Sequence, residues 1–132
     1  MKVVLDTNVI VSAFLNPKGI PAEIVSLVLS EKIILCYDNK ILSEYTDVLT
    51  RSKFNFNKEL VNDFLEFVKI YGEYIVAESQ DIQFFDESDR RSDDKIFYDV
   101  FRSSAANYII TGNKKHYPKE KNILLPREFK EI

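Results

Sequence analysis

Short apolar runs recur along this chain, and the segments between them carry apolar residues at helical spacing. The runs are Val3–Leu5, "IILCY", "YIVA", "NYIIT" and "NILL". Continuous apolar runs rich in β-branched residues are typical of strands that are buried on both faces, as in a parallel sheet. Strands that alternate with helices indicate βαβ units. The sequence therefore predicts an α/β fold with a parallel sheet and right-handed crossovers.

Two helices are predicted before residue 51. Pro21 is expected in the first turn of a helix through "AEIVSLVLSEK", because proline suits a helix start. Asp38 or Asn39 is expected to cap a second helix through "KILSEYTDVLTR", since both side chains accept hydrogen bonds from helix-terminal amides.

Two further helices are predicted in the second half of the chain. One runs from Asn57 to Tyr71 and stops at Gly72. Its predicted inner face is Leu60, Val61, Phe64, Leu65 and Val68. The other runs from about Asp94 to Ala105, with Phe97, Val100 and Phe101 inward. Residues 79–94 are predicted to form a polar, acidic segment.

Length and charge narrow the class of protein. A chain of 132 residues is expected to form one domain, residues 1–132. The net charge of -3 argues against broad capture of nucleic acid by a basic surface. It leaves open a site that reaches phosphate through divalent cations.

Cysteine content and hydropathy bear on location. Cys36 is the single cysteine, which excludes an internal disulfide and fits a reducing cytoplasm. It lies in an apolar run, so we expect a buried residue and not a nucleophile. No apolar stretch approaches the roughly 18–20 residues that a membrane span needs, and the first residues lack the pattern of a signal peptide. We expect a cytoplasmic protein that does not bind membranes.

Asp6 directly follows the first predicted strand. In parallel α/β folds, functional sites gather at the carboxyl ends of the strands. A carboxylate placed among apolar residues loses hydration, so it requires a compensating positive charge. Asp6 is therefore a candidate site residue.

Two more acids are placed near apolar helix faces. Glu44 lies three residues after Ile41 and four before Val48, which puts it on or beside the apolar face; a solvated Glu at the edge of that face is the alternative. Asp94, three residues before Phe97, should lean inward, although a helix cap would explain it too. Asp93 is expected to point outward or to cap the helix.

Convergence of these three acids would create a cation site. Close carboxylates repel one another and cannot all stay ionised without a cation. Carboxylate oxygens suit Mg²⁺ or Mn²⁺, whereas His116 and Cys36 supply no conventional zinc set. Asp6, Glu44 and Asp94 are the candidate ligands.

Five blocks occur in an order that covers nearly the whole chain: "VVLDTNVIVSAF", "LSEYTDVLTRSKF", "DDKIFYDV", "NYIITGNKKHYP" and "LLPREF". With them the chain resembles the PIN-domain family, and more narrowly its VapC-like branch of ribonuclease toxins from toxin–antitoxin systems. The resemblance implies a three-layer α/β/α sandwich with a central parallel sheet of four to five strands. It also implies an acid cluster that binds one or two divalent metals for cleavage of RNA phosphodiester bonds.

The resemblance assigns roles to individual residues. Asp6, Glu44 and Asp94 match the first three catalytic acids. Asn113 stands at a fourth catalytic position where many members have Asp, so the formal ligand charge is -3 and not -4, which should weaken a second metal most. The residues expected to orient ligands or water are Thr7, Asn8, Asp93 and Thr111.

Metal-activated water would attack the phosphate, so no side-chain nucleophile is required. Lys114, Lys115 and His116 follow the fourth strand and could contact the RNA, or they could form a solvated basic loop. The resemblance also implies an antitoxin partner and a homodimer.

Three other interpretations remain open. The first is a catalytically weak PIN domain that binds RNA or protein, which Asn113 favours. The second is a housekeeping PIN nuclease without an antitoxin. The third is an aspartyl phosphotransfer domain with Asp6 as acceptor, but the chain lacks the companion acids and the lysine–proline context of receivers, and the second Asp of dehalogenase-like phosphatases.

Overall fold

The computed structural model describes residues 1–80, 84–85 and 93–132. The rest of the predicted acidic segment, residues 81–83 and 86–92, lies outside the described residues. The described strands are β1 (Lys2–Leu5), β2 (Ile34–Tyr37), β3 (Glu73–Tyr74), β4 (Tyr108–Ile110) and β5 (Ile123–Leu124). The described helices are α1 (Thr7–Leu15), α2 (Ile20–Leu29), α3 (Asn39–Leu49), α4 (Lys58–Tyr71), α5 (Lys95–Ser103) and α6 (Pro126–Lys130).

The described strands form one parallel sheet in the order β3-β2-β1-β4-β5. From the central β1 the chain builds outward through β2 and β3, and then crosses to the other side for β4 and β5. The strand order thus reverses between β1 and β4, which is where parallel α/β sheets open a crevice at the carboxyl ends of their strands. Helices flank the sheet, so the predicted α/β/α class is confirmed.

The burial of β1 on both faces accounts for its continuous apolar sequence. Val3, Val4 and Leu5 are all fully buried, because helices cover the central strand. Phe97 on α5 is also fully buried, and α5 packs against β1, β2 and β4. Cys36 is buried in β2, as predicted.

The predicted cap of α3 and the predicted bounds of α4 are confirmed. Asp38 caps α3 by accepting a hydrogen bond from the Ile41 amide at 2.9 Å. Asn57 caps α4 by accepting one from the Leu60 amide at 3.1 Å, and Gly72 ends that helix. The last predicted helix is shorter than expected, because Asp94 precedes its first residue and Ser104 ends it.

Two predictions, one about helix α4 and one about strand β3, are wrong. Leu60 was expected inward but is 58% exposed, because it lies about 100° around α4 from its neighbour Val61, which is buried. The predicted strand at residues 74–77 is limited to Glu73–Tyr74. Ile75 donates one more bond to the Tyr37 carbonyl, and the chain then leaves the sheet, with Val76 84% exposed.

Helices α1 and α6 were not predicted. The α1 sequence is a nearly uninterrupted apolar run whose β-branched residues also suit a strand, so periodicity alone could not assign it. In the described part of the chain, no helix has the length and apolar character needed to cross a membrane.

Candidate active site

Asp6 is the one residue between β1 and α1, and its side chain is only 3% exposed. Its Oδ2 accepts two hydroxyl hydrogen bonds, from Thr111 Oγ1 at 2.9 Å and from the Tyr117 hydroxyl at 2.8 Å. Its Oδ1 accepts a longer bond, 3.4 Å, from the Asn8 amide at the start of α1. One carboxylate oxygen is therefore held by two donors while the other is weakly engaged.

Glu44 extends from α3 and is half-buried. Its Oε2 accepts a hydrogen bond from Thr7 Oγ1 at 3.0 Å. Because Thr7 follows Asp6 in the chain, this bond ties the second acid to the strand end that carries the first. The prediction that Glu44 lies on or beside the apolar face of its helix is confirmed.

Asp94 occupies the N-cap position of α5 but makes no side-chain capping bond. Its Oδ2 instead lies 2.7 Å from His116 Nδ1, and His116 Nε2 lies 3.0 Å from Asn113 Nδ2. Asp94 is mostly buried, as the sequence indicated, while Asp93 is exposed. The capping interpretation of Asp94 therefore does not account for its side chain.

The three acids line one open cleft of about 550 Å³ at the carboxyl end of β1. Its polar lining residues are Asp6, Thr7, Asn8, Ser12, Glu44, Asp93, Asp94 and His116. Val11, Val48 and Phe54 complete the wall. Among the described residues that line it there is no lysine or arginine, and Arg51 acts on Glu44 from outside the lining.

Burial acts on all three acids, and repulsion by a neighbouring carboxylate adds to it for Glu44 and Asp94. Burial raises the pKa of Asp6, although hydrogen bonds from Tyr117 and Thr111 oppose the rise. Burial, together with repulsion by Asp6, raises the pKa of Glu44, and the hydrogen bond from Thr7 opposes this rise. Burial, with repulsion by Asp6 and Glu44, raises the pKa of Asp94 to about 7. A cation in this cleft would relieve the repulsion.

The donor chemistry suits a hard divalent cation, because the available ligands are carboxylate oxygens. Within the described ranges, however, no three His, Cys, Asp or Glu side chains are arranged closely enough to hold one ion. Asp6, Glu44 and Asp94 thus share a cleft and influence one another electrostatically without forming a closed ligand set. Their roles as metal ligands stay predictions.

The predicted orienting residues have distinct contacts. Thr7 and Thr111 each donate to a carboxylate. Asn8 instead accepts from the Gly112 amide at 2.9 Å, which joins the start of α1 to the end of β4. Asp93 lies on the exposed rim of the cleft.

The predicted RNA-contacting residues divide into two groups. His116 lines the cleft beside Asp94. Lys114 and Lys115 do not line it; Lys114 pairs with Glu128 at 3.0 Å and Lys115 is exposed. Asn113 contacts His116 and does not line the cleft.

Sequence reasoning missed Tyr117, which contacts Asp6 although 111 residues separate them. It also missed Tyr45, whose hydroxyl donates to the carbonyl of Leu5 at the end of β1. Neither tyrosine was predicted as a site residue. The available signal was a tyrosine directly beside the lone histidine in "KHYP".

Comparison with known proteins agrees with this fold. The family model for the PIN domain matches residues 2–115. An uncharacterized protein of Methanocaldococcus jannaschii is 34% identical over an alignment that covers 98% of this chain and 89% of the relative. No solved structure gives a significant match. The match spans β1 through the turn after β4 and includes Asp6, Glu44 and Asp94, and with it the chain belongs to the PIN domain family.

Proposed function

We propose that this protein is a Mg²⁺- or Mn²⁺-dependent endoribonuclease. PIN domains are generally nucleases, which places the reaction class among phosphodiester hydrolases. The observation that carries the finer proposal is the cleft in which Asp6, Glu44 and Asp94 face a common space, with no lysine or arginine among the described residues that line it. Carboxylates in such a setting favour a divalent cation.

Asp6, Glu44 and Asp94 would hold the ion. When bound, the ion lowers the pKa of a bound water and offsets charge on the phosphate. The chain's own contribution is orientation. Thr111 and Tyr117 fix one oxygen of Asp6, and Thr7 fixes one oxygen of Glu44. His116 orients Asp94 through the contact of its Nδ1 with Asp94 Oδ2 at 2.7 Å.

The test is cleavage of a labelled single-stranded RNA in Mg²⁺, in Mn²⁺ and in EDTA. We expect EDTA to abolish cleavage, and Asp6→Asn, Glu44→Gln and Asp94→Asn each to reduce it by about 10²-fold or more. Asp47→Asn is the matched control for Glu44→Gln, since Asp47 is on the same helix, exposed, and paired with Arg51 at 2.9 Å. Cleavage that persists in EDTA, or in all three acid variants, would refute the proposal.

Cleavage and binding of the same RNA together test the alternative that the chain is a catalytically weak binding module. Asn113 supplies no negative charge, and its side chain contacts His116 rather than an acid. A weak module would bind the RNA with unchanged affinity in Asp94→Asn and would show no metal-dependent cleavage in the wild type.

We also propose that the nuclease is the toxin of a toxin–antitoxin pair, that it acts in the cytoplasm as a homodimer, and that an antitoxin protein occludes it. The five sequence blocks that resemble the VapC-like branch support this proposal. An open apolar groove of about 470 Å³ between α1, α2 and α4, edged by the exposed Leu29 and Leu60, is consistent with a protein partner.

Induced expression tests the toxin role. Wild-type protein should arrest growth, whereas Asp94→Asn should not, and a short gene adjacent to this one should restore growth when co-expressed. Light scattering on purified protein measures the oligomeric state. Equal growth of wild type and Asp94→Asn would favour a housekeeping nuclease.

A further inference from the structure

A groove lined by lysines lies beside the acid cleft. Its volume is about 650 Å³, and Lys114, Lys115, Lys119 and Lys121 line it; Glu120 is the one acid among the described lining residues. This concentration of positive charge contrasts with the net charge of -3 for the whole chain. Charge in this protein is therefore separated into an acidic cleft and a basic groove.

Three of the four lysines of the groove have no ion-pair partner among the described residues. Lys114 pairs with Glu128 at 3.0 Å. Lys115, Lys119 and Lys121 are exposed and form no ion pair with any residue that the structure describes.

The charge of Glu120 is directed away from the lysines of the groove. One of its oxygens lies 3.6 Å from Arg102 Nη1, and the other is buried. Its charge is thus directed toward α5, where Arg102 lies, and it forms no ion pair with Lys115, Lys119 or Lys121.

The groove and the acid cleft share one short segment as their boundary. Tyr117 lines the groove, while its hydroxyl donates to Asp6 at 2.8 Å. His116 lines the cleft, and Lys115 beside it lines the groove. A polyanion that follows the lysines therefore passes directly along the edge of the acid cleft.

We infer that the groove formed by Lys115, Lys119 and Lys121 binds the phosphate backbone of single-stranded RNA next to the scissile bond. The inference rests on the proposed ribonuclease function and names the surface that would hold its substrate. Positively charged grooves bind single strands by tracking the backbone, largely without sequence preference. The acid cleft alone repels phosphate, so an adjacent basic surface would supply the affinity.

The test measures binding of a fluorescent 12-nucleotide single-stranded RNA in EDTA, which leaves the acid cleft without metal. The test variant is Lys119→Gln/Lys121→Gln. The matched control is Lys18→Gln/Lys32→Gln, which removes the same charge from two exposed lysines in the α1–α2 turn and before β2. All four positions are exposed, and a thermal melt of each variant confirms that it is folded.

We expect the test variant to bind on the order of 10-fold more weakly at 0.1 M salt. The slope of log affinity against log salt concentration should fall by about 1.4, since each single-strand phosphate contact contributes about 0.7. The control should keep the wild-type affinity and slope. Equal losses in both variants, an unchanged slope in the test variant, or no RNA binding by the wild type would overturn the inference.

Cleavage measured in parallel separates the two proposals. If the test variant loses RNA binding while the wild type fails to cleave RNA in Mn²⁺, the groove assignment stands and the nuclease proposal fails. If the wild type cleaves in Mn²⁺ and the test variant binds and cleaves as well as the control, the nuclease proposal stands and the groove assignment fails.

Discussion

Tyr117→Phe removes one hydroxyl and leaves the ring. The tyrosine is 2% exposed, and its ring packs against Phe85 at a centroid distance of 6.2 Å, a contact that phenylalanine retains. The hydroxyl donates to Asp6 Oδ2 at 2.8 Å. The substitution therefore isolates one hydrogen bond to a buried carboxylate.

The expected magnitude follows from the charge on the acceptor. Hydrogen bonds to charged groups contribute about 1.5–3 kcal/mol. If Asp6 binds the metal, losing this donor should weaken Mn²⁺ affinity by about 10- to 100-fold, which is also the usual effect of removing a partner of a metal ligand. Thr111 still donates to the same oxygen at 2.9 Å, so we expect the lower part of that range.

Isothermal titration with Mn²⁺, together with urea unfolding, provides the measurement. Tyr98→Phe is the matched control, because Tyr98 is also buried and packs on Phe85 at 5.4 Å, while its hydroxyl interacts with Glu120 and not with Asp6. Tyr98→Phe should leave Mn²⁺ affinity unchanged. The reasoning fails if Tyr117→Phe binds Mn²⁺ within twofold of wild type, or if both variants weaken binding equally.

Three further predictions concern other parts of the molecule. Because the pKa of Asp94 is raised to about 7 in the folded protein, the folded state retains a proton between about pH 4 and pH 7 that the unfolded state releases. The metal-free protein should therefore lose stability as pH rises through this window, by up to about 4 kcal/mol in urea unfolding, and Asp94→Asn should flatten the profile. Gly72→Ala should lower the melting temperature in calorimetry, because an added Cβ would lie 2.4 Å from the Val68 carbonyl oxygen; an unchanged temperature would contradict the tight packing at this helix end. Asn113→Asp should change Mn²⁺ affinity by less than about threefold in titration, for the electrostatic reason given below.

The strands and helix ends could be predicted because their signals are local. The runs around Val4 and Cys36 had to be buried on both faces, which only a covered parallel strand allows. Asp38 and Asn57 carry the capping chemistry that starts α3 and α4. The extent of the third strand was not predictable in this way, because residues 75–77 continue an apolar run, yet among the described residues the backbone bonds to β2 end at Ile75.

The shared cleft of the three acids could be predicted in outline from two kinds of local information. Asp6 lies at the end of a buried strand, and Glu44 and Asp94 lie at spacings that turn them inward. The path of the loop after β4 could not be predicted from the sequence. The contacts of His116 with Asp94 and of Tyr117 with Asp6 span 22 and 111 residues, and no periodicity encodes the path of a loop.

The contact between Asn113 and His116 changes what a fourth acid would do in this chain. His116 Nδ1 faces a carboxylate oxygen of Asp94 at 2.7 Å, and His116 Nε2 faces the Asn113 amide nitrogen at 3.0 Å. A neutral imidazole with its proton on Nδ1 satisfies both contacts, since it donates to Asp94 and accepts from Asn113. Asn113→Asp replaces that amide donor with an acceptor, so both contacts persist only if each ring nitrogen carries a proton. Such an imidazolium would offset the added negative charge, and on this reasoning we expect little change in Mn²⁺ affinity.

Without the imidazole of His116, the negative charge that Asn113→Asp adds has no compensating partner. Asn113→Asp combined with His116→Asn should bind Mn²⁺ about tenfold more tightly than His116→Asn alone, because one uncompensated negative charge near the cleft is worth on the order of 1–2 kcal/mol. Titration calorimetry at pH 7 on these variants measures both effects. A large gain from Asn113→Asp in the presence of His116 would show that residue 113 acts on the metal directly, and the hydrogen-bond chain from Asn113 through His116 to Asp94 would lose its electrostatic role.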